Sequence, residues 1–248
     1  MKKYGLVGYP LSHSFSAKYF AEKFEKNKIT DCSYENFSIE KIEMFPEIIM
    51  NTHSLCGLNV TIPYKEKVMT YLNELDITAR EIGAVNTIKF IRSDNSLRLK
   101  GYNTDEYGFK TSLQPLLKKH HQKALILGTG GASKAIKYVL RTLGITYVSA
   151  SIEELKENEI RYEAIDKKMI EEHLLIIHAT PLGTYPKVDA CPPIPYEHIG
   201  KHHVLYDLVY NPEVTKFLAQ GKEKGAATIN GLKMLHLQAE RAWEIWNS

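Results

Sequence analysis

The sequence predicts an α/β protein in two parts, the first built on a mixed sheet and the second on a parallel one. Three observations carry that prediction. Short β-rich runs alternate with helical patterns along all 248 residues. The stretch AVNTIKFIRSDNSLRLKGYNT reads as two strands joined by a polar loop of Ser93, Asp94, Asn95 and Ser96, an antiparallel hairpin. The aliphatic run Lys123 to Leu127 passes straight into GTGGAS and a helical pattern, the strand, turn and helix that open a parallel βαβ unit.

In chain order, KYGLVG is a strand, followed by a helix near Ser16 to Lys26, the strand SYENFSI, a helical stretch near Ile39 to Met50 and the strand GLNVTI. After the hairpin, helical spacing of Phe109, Leu113, Leu116 and Leu117 runs from Asp105 to about Lys119. KALIL then leads through the glycine turn into AIKYVLRTLG, a helix closed by Gly144, and on to the strand ITYVSAS. LLIIHAT, HHVLYDLVY and AATING are further strands, separated by Pro-rich and helical stretches, with Pro181 to Pro195 the most loop-like segment. Leu232 to Asn247 form a last amphipathic helix with Leu235, Ala239, Ala242 and Ile245 near one stripe.

Composition excludes several classes. With 44% hydrophobic, 25% charged and 10% aromatic residues the chain is neither disordered nor fibrous. A formal net charge of +3 with scattered basic residues argues against a nucleic-acid partner. No apolar run approaches the roughly 20 residues of a membrane helix, and the amino-terminal stretch is broken at once by Gly5, Gly8 and Pro10, so a cytoplasmic protein is expected. Cys32, Cys56 and Cys191 are odd in number and in no CxxC pair, and none of the 10 histidines lies in a metal motif, so no metal is expected.

The glycine turn GTGGASKA has a physical rationale. Gly128, Gly130 and Gly131 let the chain turn sharply and let backbone approach a diphosphate, while the following helix directs its first N–H groups at the anion. Ser133 stands where the dinucleotide fingerprint has its third glycine or alanine. The acid expected about 20 residues on, at the tip of the next strand, is absent. Val148, Ser149, Ala150 and Ser151 occupy that region, with no arginine to hold a 2′-phosphate, so chemistry alone leaves NAD and NADP open.

Four polar strings, GYPLSHSFS, GLNVTIPYK, GAVNTI and GYNTDEYG, place hydroxyl and amide side chains beside glycine at strand ends, a rim suited to a small polar ligand. With LGTGGASKA, ATPLGTYP, DLVYNPEVT and NGLKMLHLQAE in this order, they resemble the shikimate dehydrogenase family over nearly the whole chain. The resemblance implies a substrate-binding domain of residues 1–104 and 232–248, the carboxy-terminal helix returning to the first part, and a Rossmann-like dinucleotide-binding domain of residues 105–231. It implies reversible NADPH-dependent reduction of 3-dehydroshikimate to shikimate in aromatic amino acid biosynthesis, by a monomer or homodimer. Activity on quinate with NAD, or an idle ligand-sensing member, are the alternatives.

Residue by residue, the resemblance makes Lys65 and Asp105 the catalytic pair, and Ser14 and Ser16 the hydroxyls that bind the substrate carboxylate. Asn59, Thr61 and Asn86 become ring contacts or their supports, and Tyr210 and Gln238 further substrate contacts. Gly128, Thr129, Gly130, Gly131 and Ala132 become the phosphate turn, Ser149 and Ser151 the adenosine end, and Thr180 and Gly231 further cofactor contacts. Three departures stand out. Ala17 replaces a usual proline, and His178 replaces the asparagine that commonly precedes ATPLG. The family's asparagine-arginine-threonine string, whose arginine holds the 2′-phosphate, gives way to Ser149, Ala150 and Ser151 and the acidic IEELKENE. NADP is expected on the resemblance, with NAD or dual use as the alternative.

Overall fold

Alternating and aliphatic runs become strands wherever the sequence predicts them, and the computed structural model describes residues 1–11, 14–93 and 96–248. Asp94 and Asn95 of the expected hairpin loop, and Ser12 and His13 of GYPLSHSFS, lie outside the described residues. The chain divides into two compact units, Met1–Thr104 with Gln238–Ser248, and Asp105–Leu237.

In the first unit β1 (Lys2–Gly8), helix α1 (Phe15–Lys26) and β2 (Cys32–Ser38) form a parallel unit, and α2 (Phe45–Asn51) leads to β3 (Leu55–Val60). β4 (Glu74–Leu75) and α3 (Ile77–Ile82) precede the hairpin of β5 (Thr87–Ser93) and β6 (Ser96–Tyr102). The sheet runs β2-β1-β3-β5-β6-β4 and is mixed: β1 pairs β2 and β3 in parallel, whereas β3–β5 and β5–β6 are antiparallel. α2 starts later than the expected Ile39, because Lys41 is extended, a 3₁₀ turn covers Ile42–Met44, and Pro46 sits in the first turn, where a missing N–H costs nothing.

One core of this unit gathers Val7, Phe45, Leu55, Leu58, Val60, Tyr64, Val68, Val85 and Ile88. A second joins Tyr4, Phe20 and Phe24 to Ala239, Ala242 and Trp246 of the last helix. Tyr4 stacks on Trp246 with centroids 4.9 Å apart, and the indole N–H donates to the Ile88 carbonyl at 3.0 Å. Amphipathic spacing in the final helix thus finds its partner in an aromatic cluster, the arrangement in which a buried indole keeps its hydrogen bond.

The second unit opens with α4 (Asp105–Leu113), then β7 (Lys123–Leu127), α5 (Gly131–Thr142) and β8 (Thr146–Ala150). α4 stops short of Lys119, because Pro115 supplies no helical N–H and the chain tightens into a 3₁₀ turn at Gln114–Leu116. β9 (Glu159–Ile160), α6 (Lys167–Glu172), β10 (Leu175–His178), β11 (Val204–Asp207), α7 (Lys216–Glu223) and β12 (Ala227–Ile229) complete it. All strands pair in parallel in the order β12-β11-β10-β7-β8-β9, so connections leave central β7 in opposite directions and the sheet has a switch point between β7 and β10. One face packs Ile126, Ile177 and Tyr206 against Ile136, Val139 and Leu140 of α5. The other buries Leu125, Leu127, Ile176 and Leu205 against Ile170, Phe217 and Leu218. The last helix, α8 (Leu232–Asn247), begins where expected, but the division between units falls inside it, at Gln238.

Candidate functional site

In the first unit, the ends of β1, β3 and β5 converge on a buried polar shell. Asn59 donates from Nδ2 to the Asn86 carbonyl (3.3 Å) and to Thr87 Oγ1 (3.2 Å), and its Oδ1 accepts the Tyr34 hydroxyl at 2.9 Å. Asn59 is therefore a support whose amide is spent on protein partners. Asn86 Oδ1 accepts the Thr104 N–H at 2.7 Å and the Thr87 hydroxyl at 3.1 Å, and the Thr104 hydroxyl also reaches Gln238 Oε1 at 3.4 Å. Asn59, Asn86, Thr104 and Gln238 are all buried, so every lost partner in this network carries a desolvation cost.

Lys65 sits on the loop that follows β3, which three backbone bonds fix. The Thr61 N–H donates to Val7 O (2.9 Å), the Tyr64 N–H to Thr61 O (2.9 Å), and the Val85 N–H to Lys65 O (2.7 Å). The buried Tyr64 hydroxyl also donates to Ile39 O at 2.6 Å. Thr61, half-buried Lys65 and Asn86 are thereby brought to one rim of the sheet. Ser14 is the N-cap of α1 but makes no side-chain cap bond, and its buried hydroxyl has no hydrogen-bond partner. Capping, the ordinary use of such a serine, is not its use here. The Ser16 hydroxyl bonds the Tyr34 hydroxyl, whose titration burial pushes far up, so a chain of hydroxyls runs from α1 to Asn59.

Asp105 is the buried first residue of α4 and opens the second unit, directly after Thr104. Asp105 and Glu106 both lie in the first turn, where a carboxylate is favoured by the helix dipole. Tyr210 follows β11, half-buried, and burial raises its phenol above the usual value.

The second unit places the glycine turn at the switch point. Gly128 has φ +112°, and a Cβ there would lie 2.7 Å from Thr180 Cγ2 and 3.1 Å from the Ala179 backbone, so only glycine fits. Around Gly130 and Gly131 a Cβ would meet nothing within 4 Å: open space lies over the first turn of α5. That space, beside backbone N–H groups and small Ala132, suits a diphosphate. Ser133 fits in place of a third glycine because it is fully buried and its hydroxyl turns back to the Gly130 carbonyl at 2.7 Å. Gly231 is required by packing, since a Cβ would stand 2.1 Å from the Leu208 carbonyl oxygen.

The two serines expected at the adenosine end part company. Ser149 is fully buried opposite Ile126, and its hydroxyl is unpartnered. Ser151 lies one step beyond the end of β8, where its hydroxyl is 3.3 Å from that of Thr129 and accepts the Glu153 N–H at 3.1 Å.

His178 stands at the centre of a buried network. Its Nδ1 donates to Asp207 Oδ1 at 2.9 Å, and its Nε2 lies 2.5 Å from Thr180 Oγ1. Asp207 also accepts the Val209 N–H (2.9 Å) and the Thr215 hydroxyl (2.5 Å), while Thr215 caps α7. This wholly buried chain ties the start of α7 to the Thr180 loop beside Gly128. Sequence reasoning missed Asp207 and Thr215, although the DLVYNPEVT string contains both, because nothing local marks a partner 29 residues away. Among the described residues no group of three or more His, Cys, Asp or Glu could hold a metal, and no helix is long and apolar enough to cross a membrane.

A doubly wound parallel sheet with a glycine turn at its switch point, in one chain with a mixed-sheet unit that carries a lysine-bearing polar rim, defines a dinucleotide-dependent oxidoreductase of the α/β class. The family model for the shikimate dehydrogenase substrate binding domain matches residues 6–88, and a shikimate dehydrogenase (NADP(+)) of Clostridium beijerinckii is 40% identical, with 99% of this chain and 92% of that protein covered. The chain belongs to the shikimate dehydrogenase family. Among solved structures, shikimate dehydrogenase 1 from Peptoclostridium difficile is 38% identical, with TM-score 0.84 over 100% of this chain and 92% of that one. The Thermus thermophilus enzyme in complex with NADP(H) and shikimate is 29% identical, with TM-score 0.83 over 99% and 93%.

Proposed function

We propose that this protein catalyses the reversible NADPH-dependent reduction of 3-dehydroshikimate to shikimate, a step of aromatic amino acid biosynthesis. The observation that carries the reading is the near-full-length likeness to NADP-dependent shikimate dehydrogenases, in a chain with a lysine at position 65 and an aspartate at position 105. Residues 1–104 and the last helix act as the substrate domain, and residues 105–231 as the dinucleotide domain.

When bound, the nicotinamide would supply or accept hydride at C3 of the substrate. Lys65 presents an ammonium group to the oxygen on that carbon, donating a proton to it or holding the charge that builds there, which lowers the barrier for reduction. Asp105, a carboxylate at a helix start, accepts a hydrogen bond from the substrate and fixes its orientation. Ser14 and Ser16 receive the substrate carboxylate, and Thr61, Asn86, Tyr210 and Gln238 hold its hydroxyls. Such a site rejects analogues that lack a hydroxyl, because buried partners are then left unpaired. Gly128, Thr129, Gly130, Gly131 and Ala132 cradle the diphosphate, with Thr180 and Gly231 completing the cofactor side. The enzyme works in the cytoplasm as a monomer or homodimer.

The test is steady-state oxidation of shikimate and of quinate, each with NADP and NAD, by the parent and by Lys65→Ala. Shikimate with NADP is the expected best pair. Lys65→Ala is expected to lower kcat by about 10²-fold or more with KM little changed, the signature of an interaction made in the transition state. Near-normal turnover in that variant removes Lys65 from the mechanism.

A further inference from the structure

The tip of β8, Ser149 to Ser151, carries no arginine for a 2′-phosphate, and the structure assigns that task to Arg161, a residue from the end of the neighbouring strand. This rests on NADP being the cofactor, as proposed above. β8 and β9 pair in parallel with Ala150 opposite Ile160, and the Ser151 N–H donates to the Ile160 carbonyl at 2.9 Å. Arg161, the next residue, therefore stands beside Ser151 at the carboxyl edge of the sheet, where dinucleotide ribose is received in sheets of this order.

The face is the right one. Glu159 pairs with Lys137 of α5 at 3.1 Å, so it lies on the α5 side, whereas Ile160 packs in the opposite core. Arg161 continues extended, with φ −77° and ψ 154°, so the strand alternation returns it to the α5 side. Ser151 is on that same side, two residues beyond Ser149, with its hydroxyl 3.3 Å from Thr129 in the phosphate turn. Arg161 is exposed and forms no ion pair among the described residues. The helix-free crossover from Ala150 to Glu159 is what allows this, because it brings β9 alongside β8 within nine residues of chain. Glu153, Glu154 and Glu157 on that crossover are exposed carboxylates that repel phosphate, so an arginine with a planar fork of donors is the group needed to favour a dianion there.

Isothermal titration of the full chain with NADP, NAD, 2′-AMP and 5′-AMP tests the assignment. Arg161→Gln is expected to raise the Kd of NADP and of 2′-AMP by about 10–100-fold, the range of a charge-assisted phosphate contact, while NAD and 5′-AMP change less than about twofold. Arg161→Lys is expected to recover part of the loss, and Lys156→Gln, an exposed cation of the same crossover, to leave all four values unchanged. An unaltered NADP-to-NAD ratio in Arg161→Gln overturns the assignment, as does an equal loss for Lys156→Gln. Shikimate oxidation at saturating cofactor, run alongside, reads the function separately. A changed ratio without any shikimate oxidation in the parent sinks the functional reading and leaves Arg161 standing; an unchanged ratio with activity intact does the reverse.

Discussion

Replacing Asp207 tests whether the buried His178 network holds the Thr180 loop. Asp207 and His178 are both 0% exposed, and the carboxylate accepts three donors: His178 Nδ1–H, Val209 N–H and the Thr215 hydroxyl. Asp207→Ala strands all three. Each buried unsatisfied donor costs about 1–3 kcal/mol, and removing one partner of a buried charged set about 3–5 kcal/mol in total once water and small shifts relieve part of it. For a chain of this size that is a fall in Tm of roughly 6–20 °C. Asp207→Asn is milder: its carbonyl still accepts from His178 and Val209, and only the Thr215 bond is inverted, at a cost of about 1–2 kcal/mol. Urea unfolding followed by circular dichroism gives both numbers, and because the site is dry they are expected to be insensitive to salt. An Asp207→Ala loss under about 1 kcal/mol would show that the network contributes no more than an ordinary surface cluster, and equal losses in the two variants would show that accepting the His178 and Val209 N–H groups is not what Asp207 contributes.

Ser14→Ala removes a hydroxyl that no protein group uses, so Tm is expected to stay constant or rise slightly while KM for shikimate rises about tenfold; a fall in Tm with unchanged KM refutes a carboxylate role. Gly128→Ala forces φ +112° on a residue with a Cβ and drives that atom against Thr180, so calorimetry is expected to record a loss of about 1–3 kcal/mol together with weaker NADP binding. Burial lowers the imidazole pKa of both His121 and His173, so the folded chain binds fewer protons than the unfolded chain. Their contribution is present above the ordinary histidine value of about 6.5 and lost as pH falls through the depressed values, so stability rises with pH across that window. Urea midpoints at stepped pH measure the slope, and His121→Asn with His173→Asn is expected to flatten it.

Most of the fold was legible because its signals are local. KALIL, LLIIHAT and the hairpin runs announce themselves by aliphatic content or alternation, and the glycine turn marks where the second sheet begins. The errors sit at prolines and at short elements. Pro46 and Pro115 set helix limits that amphipathic spacing overran, since a repeat of apolar residues continues through a 3₁₀ turn almost unchanged. β9 is two residues long and has no periodicity to read, yet its pairing with β8 decides which cation reaches the adenosine end.

The site was legible as a set of residue types, but the sequence could not separate side chains spent on the protein from those left for a ligand. Asn59, Thr87 and Thr104 are as polar as Ser14, and GLNVTIPYK and GYNTDEYG read as rims just as GYPLSHSFS does. Partners decide the matter. Asn59 has its oxygen and nitrogen committed to Tyr34, Asn86 and Thr87, so replacing it would reach the substrate only through Asn86. Ser14 has a buried hydroxyl with no partner, a cost the fold carries unless a ligand satisfies it. The hydroxyl of Ser149 is equally unpartnered but lies fully buried within β8, opposite Ile126 of β7. An orphaned hydroxyl is therefore read by its place in the fold, a helix start on a strand-end rim for Ser14 and the interior of a sheet for Ser149. That distinction depends on long-range contacts, which is why the chain's local composition could not supply it.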